Sequence, residues 1–227
     1  MKYIVLIFIA LIMFSCVTVS NRSNVFNLNT IGNNEGVLKT NGYYYCELEE
    51  QAYPYYKNEY GGYSQDTSKP YIKKMIQPLL LYKNGGVHRW PLTSGMKENR
   101  YDQMACGLPD DNSFFFAKVY FECSLMRGSK PDRGKFGTLY AKGVFKTQQD
   151  KIVVQYYECT GPPMTADYYL IEKTGKILND TTFVLKSMYN FRSKESTDIN
   201  EVYLYQHYTI KPDSANYILN HKKRFKK

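Results

Sequence analysis

Few groups in this chain of 227 residues are equipped for chemistry: five thiols, three imidazoles and scattered carboxylates. Cys16 stands apart from the other thiols. It follows an apolar run and one small residue, Ser15, where a thiol could accept an acyl group. Cys46, Cys106, Cys123 and Cys159 are candidate disulfide partners in an oxidising compartment; they allow three pairings, with buried free thiols as the alternative. No CxxC or Cys/His cluster has metal-ligand spacing, so no metal or cofactor is expected. His88, His207 and His221 fall in no nucleophile or metal motif and read as structural, so no catalytic residue is assigned. The acid pairs Glu49-Glu50 and Asp110-Asp111 are adjacent residues that point apart. A hydrolase whose two carboxylates meet only in the fold ranks third among the functional readings.

Stepping along the chain, the segment that positions Cys16 comes first. Lys2 precedes an apolar run from Tyr3 to Phe14, the layout of a secretory signal peptide over residues 1–15. The run is short of the roughly 20 residues that a permanent helical span needs. Met13-Phe14-Ser15-Cys16 resembles the bacterial lipobox, which is cut before a cysteine that carries diacylglycerol and often a further acyl chain such as palmitate. Ser15 and Cys16 fit that pattern, while Met13 replaces the usual Leu and Phe14 is bulkier than usual. The resemblance implies lipid attachment at Cys16. An uncleaved anchor running on through Val17, Thr18 and Val19, and plain secretion, are the alternatives. Two or more acyl chains anchor a protein stably where one holds marginally. No Asp and no acidic cluster follows Cys16. The implied location is the cell envelope, lipid-anchored in the outer membrane and facing the periplasm.

Loss of residues 1–15 leaves 212, enough for one domain with a real core. The net charge of +9 falls to about +8, because Lys2 is the only charge removed. That balance favours anionic surfaces such as lipid headgroups or acidic glycans. Nucleic acid is not expected as a partner of an exported protein, and the oligomeric state is left open. Residues 16–36, rich in Asn, Ser and Thr, read as a flexible tether. Residues 37–220 read as the folded domain and 221–227 as a basic, frayed tail.

Within the domain the period is mostly two. Val37–Cys46 reads as a strand with a bulge at Gly42, and Glu49–Pro70 as a loop. Leu79–Tyr82, Asn84-Gly85-Gly86 and Val87–Trp90 form a hairpin signal, because Asn-Gly supplies the positive φ angles of a tight turn. Thr93–Asp111 reads as a loop. Ser113–Met126 fits both helical and strand spacing and is read as a helix capped by Asp111, Asn112 or Ser113. Gly143–Thr147 with Ile152–Tyr157 reads as a second hairpin. Tyr168–Ile171 with Ile177-Leu178 reads as a third, turning at Lys173–Lys176. Thr181–Leu185 and Val202–Tyr208 supply further strands, and a helical turn follows Pro212. The expected fold is mainly β: a single antiparallel barrel, or a strongly curved sheet, with one or two short helices.

The runs Gly143-Val144-Phe145 with Asp150-Lys151-Ile152, Gly175–Phe183 and Lys211-Pro212-Asp213-Ser214 carry a family likeness. Over residues 135–220 the chain resembles Bacteroidetes-type envelope lipoproteins with a lipocalin-like β-barrel. That likeness carries fold and compartment, and brings no catalytic residue with it. Asp180-Thr181-Thr182 and Asp213-Ser214-Ala215 resemble the O-glycosylation pattern of such envelope proteins, making Thr181 and Ser214 candidate acceptors.

The 23 tyrosines are the distinctive compositional signal. A tyrosine joins an apolar face to a polar tip, which suits glycans and lipid headgroups. Tyr53, Tyr55, Tyr56, Tyr60 and Tyr63 are therefore candidate ligand contacts, although most of the tyrosines are explained by strand packing. The leading reading is a lipid-anchored binding module holding an apolar or glycan ligand in the barrel mouth. Its rival is a structural or interaction lipoprotein with a filled barrel and no ligand.

Overall fold

The fold is described from a computed structural model, over residues 18–26, 37–57, 59–60, 63–96, 106–127, 139, 142–160, 167–212, 214 and 216–225. In chain order its elements are β1 (Thr18–Val19), β2 (Gly42–Ala52), β3 (Tyr55–Lys57), β4 (Tyr63–Gln65), β5 (Tyr71–Leu81), β6 (Gly86–Arg89) and β7 (Thr93–Ser94). Helix α1 (Phe114–Met126) follows, then β8 (Lys142–Gln148), β9 (Lys151–Thr160), β10 (Asp167–Asn179), β11 (Thr182–Asn190), β12 (Glu195–His207) and helix α2 (Tyr217–Asn220).

Eight of these strands close into an antiparallel barrel in the order β2-β5-β6-β8-β9-β10-β11-β12, and β12 pairs back onto β2. Each strand neighbours the next in the chain, an up-and-down ring without open edges. Side chains alternate between lumen and outer wall. On β2, Tyr44 and Cys46 point inward and Tyr43 and Tyr45 outward; on β9, Ile152, Val154 and Tyr156 point inward and Tyr157 outward. The turns β5–β6, β8–β9 and β10–β11 lie at one end. Leu38 closes that end from below, buried in the lumen cluster, with Lys39 N–H donating to Asp180 O at 3.0 Å. The opposite end, where β9 leaves and β10 enters, is the mouth.

Two parts of the outer wall are covered. Helix α1 is the helix expected from the Ser113–Met126 spacing, and the Ser113 hydroxyl accepts from Phe116 N–H at its start. It lays Ala117, Phe121 and Leu125 on Tyr43, Tyr45, Ile76, Leu80 and Trp90. The second cover comes from both sides of the barrel in sequence: Val25 before it, and Ile218 and Phe225 after it, bury Val144, Tyr157 and Leu170. Among the described residues no helix is long and apolar enough to cross a membrane.

Several expectations need correction. Residues 18–26, read as part of a flexible tether, are docked: β1 runs parallel to β10, with Thr18 opposite Asp167. Burial of Val25 against the wall and the buried Gln155 side chain, which also donates to Glu172 Oε2 at 2.6 Å, hold this segment. Gln155 Oε1 accepts from Phe26 N–H at 2.9 Å and its Nε2 donates to Asn24 O at 3.3 Å. The tail read as frayed forms a 3-10 turn over Lys222–Phe225, because Phe225 is 2% exposed against Tyr157. Glu49–Pro70 is not a loop throughout: β2 runs on to Ala52, paired with Tyr71, and β3 and β4 make a hairpin. The third hairpin is wrong. β10 passes straight through Lys173–Lys176, where Gly175 marks a register shift rather than a turn, and the turn falls at Asp180-Thr181. Gly42 starts β2 with no bulge; a Cβ there would lie 2.1 Å from Gln206 O, so the closing strand demands glycine.

Cys106 and Cys123 form a disulfide that staples the segment before α1 to the helix, whereas Cys46 and Cys159 are free thiols. Closing a loop of this length removes unfolded-state entropy worth about 3 kcal/mol. Replacing both Cys106 and Cys123 with Ser should lower stability by about that amount in urea denaturation. Thiol titration of the denatured, unreduced domain should find Cys46 and Cys159 but neither of the paired cysteines.

Candidate functional site

The barrel lumen is the natural place for a ligand. Its closed half is filled by inward side chains of neighbouring strands. Tyr44 lies 5.0 Å from Phe183, and Phe183 stacks on Tyr203 at 5.0 Å with only 10° between the rings. Leu79, Leu81, Val87, Phe145, Ile152 and Leu185 complete the plug, none more than 2% exposed. The Tyr44 hydroxyl donates to Asp180 O at 2.9 Å, so even the polar tip is occupied.

Above the plug, towards the mouth, lies a layer of four charges. Lys173 Nζ meets Glu201 Oε1 at 2.5 Å, and Arg89 Nη1 meets Glu158 Oε1 at 2.8 Å. All four come from inward positions on β6, β9, β10 and β12; on β10 and β12 the charge lies between apolar inward residues, with Ile171 and Ile199 nearer the mouth. Tyr156 sits between the cations, with the Arg89 guanidinium 5.1 Å and Lys173 Nζ 6.0 Å from its ring centre. The Tyr203 hydroxyl donates to the second Glu201 oxygen at 3.3 Å. Burial pushes the Tyr156 and Tyr203 phenols up, so both remain neutral donors. The Cys46 thiol is pushed up to about 11, by burial first and then by the Glu201 charge. It is thus a protonated thiol and a poor nucleophile at neutral pH. Each carboxylate in the layer is engaged by a cation, so the arrangement holds charge in place rather than offering a general acid and base. Among the described residues no group of three His, Cys, Asp or Glu side chains could hold a metal ion.

The residues singled out from sequence fall elsewhere. Tyr55, Tyr56 and Tyr60 stand 61%, 53% and 95% exposed on the β3–β4 hairpin, which leaves the barrel at the mouth end of β2. Tyr53 accepts from Gln51 Nε2 at 2.8 Å, and Tyr63 belongs to β4. Tyr53, Tyr55, Tyr56 and Tyr60 are not part of the lumen cluster. Thr181 sits in the β10–β11 turn, its amide and hydroxyl both bound to Asn179 Oδ1. Ser214 is exposed at the same closed end. Cys16 lies outside the described residues. Glu49 and Glu50 are successive residues of β2 and face opposite sides of the strand. His207 and His221 are exposed: Tyr205 Oη approaches His207 Nδ1 at 3.3 Å, and His221 Nδ1 donates to Tyr217 O at 3.0 Å. His88 is buried beside Trp90, and its Nε2 finds no partner among the described residues.

Among the described residues, two outer-surface clefts are notable. One of about 450 Å³ at the closed end is lined by Thr40, Tyr82, Lys83, Lys211 and Ser214. Lys211 is its organising residue. Its Nζ donates to Thr40 O and Leu81 O, each at 2.8 Å, and lies 4.4 Å from the Tyr82 ring centre. Burial draws its pKa down to about 8, while the two carbonyls hold the proton. The other cleft, about 500 Å³, lies on the wall between Lys151, Thr174, Lys176 and Lys186. Neither enters the lumen.

Arg89, Glu158, Lys173, Glu201 and Lys211 were not singled out from sequence. The available signal was a charge at an alternating position that should face inward, as in Ile199, Glu201, Tyr203. The chain gives no significant match to a family model, a curated protein or a solved structure.

Glu201→Gln should destabilise the fold by about 3 kcal/mol or more, because it strands a nearly buried ammonium. Changing the pair together, Lys173→Met with Glu201→Leu, should recover much of that loss in urea denaturation. His88 gives a second test. Burial, aided by the Lys142 charge, lowers its pKa from 6.5 to about 4. The unfolded chain therefore binds this proton first on acidification. Its contribution to stability is complete above pH 6.5 and lost as the pH falls towards 4, by up to about 3 kcal/mol. His88→Asn should flatten that part of the stability–pH curve.

Proposed function

We propose that the chain is a lipid-anchored envelope protein whose filled barrel is a rigid scaffold for contacts on its surface, not a carrier of a ligand inside. The observation that carries this is the lumen itself. Tyr44, tilted against Phe183, the Phe183–Tyr203 stack and the aliphatic side chains around them occupy the space that an apolar ligand would need in the closed half of the lumen. Ligand-carrying sites are concave pockets of roughly 300–1,000 Å³ that bury most of the ligand. Two clefts of that size formed by described residues, at the closed end and on the wall, open to the outside.

Envelope location rests on Met1–Cys16, with Cys16 as the acyl acceptor after loss of residues 1–15, and outer-membrane residence facing the periplasm as the address. The closed eight-stranded ring is of the lipocalin-like kind, and the likeness to Bacteroidetes-type envelope lipoproteins rests on the sequence of residues 135–220. Thr181 and Ser214 remain the proposed O-glycan acceptors, and both lie at the closed end, away from the mouth.

Native mass spectrometry of the protein purified from its own cells tests all of this. The expected species is residues 16–227 plus acyl chains, with no stoichiometric small molecule released on denaturation. A one-to-one apolar ligand would overturn the filled-barrel reading, and an unacylated Cys16 would overturn the anchor. Any further mass should vanish in the Thr181→Ala, Ser214→Ala double variant if it is glycan at those positions.

A further inference from the structure

We infer that the mouth end of the barrel lies flat against the lipid bilayer, held at two opposite points of its rim: the acyl anchor at Cys16 and the tyrosine hairpin β3–β4. This rests on the anchor reading proposed above. The first point follows from β1. Thr18 pairs with Asp167, the residue that opens β10 at the mouth, and β1 runs parallel to β10, so the chain reaches β1 from the mouth side. Cys16 is two residues earlier, and two residues span at most about 7 Å. A lipid on Cys16 therefore leaves no room for the domain to stand off the membrane by a long tether.

The second point lies across the ring. Counting around the barrel, β10 is separated from β2 by β11 and β12 on one side, and from β5 by β9, β8 and β6 on the other. The hairpin grows between β2 and β5, at the end where Ala52 pairs with Tyr71, nearly diametric to β10. It carries Tyr55, Tyr56 and Tyr60, the last 95% exposed. Ile72 beside it is 52% exposed, and Phe115, in the first turn of α1, is 64% exposed. Asn112 ties that helix start to the same strand end, donating to Ile72 O and accepting from Lys74 N–H. Large apolar and aromatic side chains are costly to leave in water. They are stable at the headgroup boundary, where tyrosine keeps its hydroxyl wet and its ring among acyl chains. An anchor at one side of a rim would let the barrel swing; an aromatic contact at the other side removes that freedom.

The test uses the full chain, acylated in its host and reconstituted into vesicles of phosphatidylethanolamine and phosphatidylglycerol, with and without brominated acyl chains. The chain has one tryptophan, Trp90, buried under α1, which supplies a constant background. Tyr60→Trp should add fluorescence that brominated lipid quenches roughly twofold, as expected of an indole at the interface. Lys83→Trp, in the β5–β6 turn at the closed end, should add fluorescence that the same lipid leaves unchanged. The mass of each preparation reports acylation independently. Acylated protein in which Tyr60→Trp is no more quenched than Lys83→Trp overturns the orientation while the anchor stands, and leaves the hairpin to a glycan or protein. Absence of lipid on Cys16 overturns the anchor and this inference with it.

Discussion

Eight strands enclose one lumen only if the last finds the first, and here that seam is short. Five residues of β12, Tyr203 to His207, pair with Cys46 back to Gly42. Everything inside depends on it. Tyr44 and Cys46 from one side and Tyr203 and Tyr205 from the other reach the lumen at the seam, and Phe183 from β11 joins them, stacked on Tyr203 and tilted against Tyr44. Gly42 is the tolerance limit, since any side chain there would collide with the Gln206 carbonyl. Joining segments so far apart in sequence costs loop-closure entropy before any contact rewards it, so the seam belongs to the late part of folding.

The lumen combines two kinds of contact with opposite logic. The apolar side chains gain from burial. Among them stand Lys173, Glu201, Arg89 and Glu158, whose desolvation is repaid only because every charge meets its opposite at hydrogen-bond distance. Such a layer adds little net stability over an apolar one. It fixes register instead, because slipping β10 or β12 by one residue would throw an ammonium or a carboxylate onto the wrong face. The outward Gln155 does similar work on the wall, fastening residues 24–26 through Phe26 and Asn24.

How far the sequence revealed this differs from element to element, for physical reasons. Ile152–Tyr157 and the Asn84-Gly85 turn declare themselves, since a strand buried on both faces is apolar at nearly every position, Gln155 being the exception here, and a tight turn needs its glycine. Ser113–Met126 matched two periods because α1 is apolar nearly all round, and only the Ser113 cap separates helix from strand. Lys173–Lys176 imitates a turn, with a glycine among polar residues. Gly175 is there because a Cβ would lie 1.9 Å from the Val184 carbonyl at the bulge, and Lys173 is polar because it faces Glu201. The polar end of β2, from Glu49 to Gln51, reads as loop because its side chains are left exposed. The charge layer was the least visible part, because its partners are 28 and 69 residues apart and no local pattern joins them.

The cover over Val144, Tyr157 and Leu170 has a bearing on the order in which this protein is made. Half of it, Val25, leaves the ribosome before any barrel strand, and the other half, Ile218 and Phe225, only after β12. A nascent chain can therefore possess all eight strands and still show a wet apolar wall. Chaperones and proteases that survey new chains would read a product interrupted before Tyr217 as unfinished, however complete its barrel.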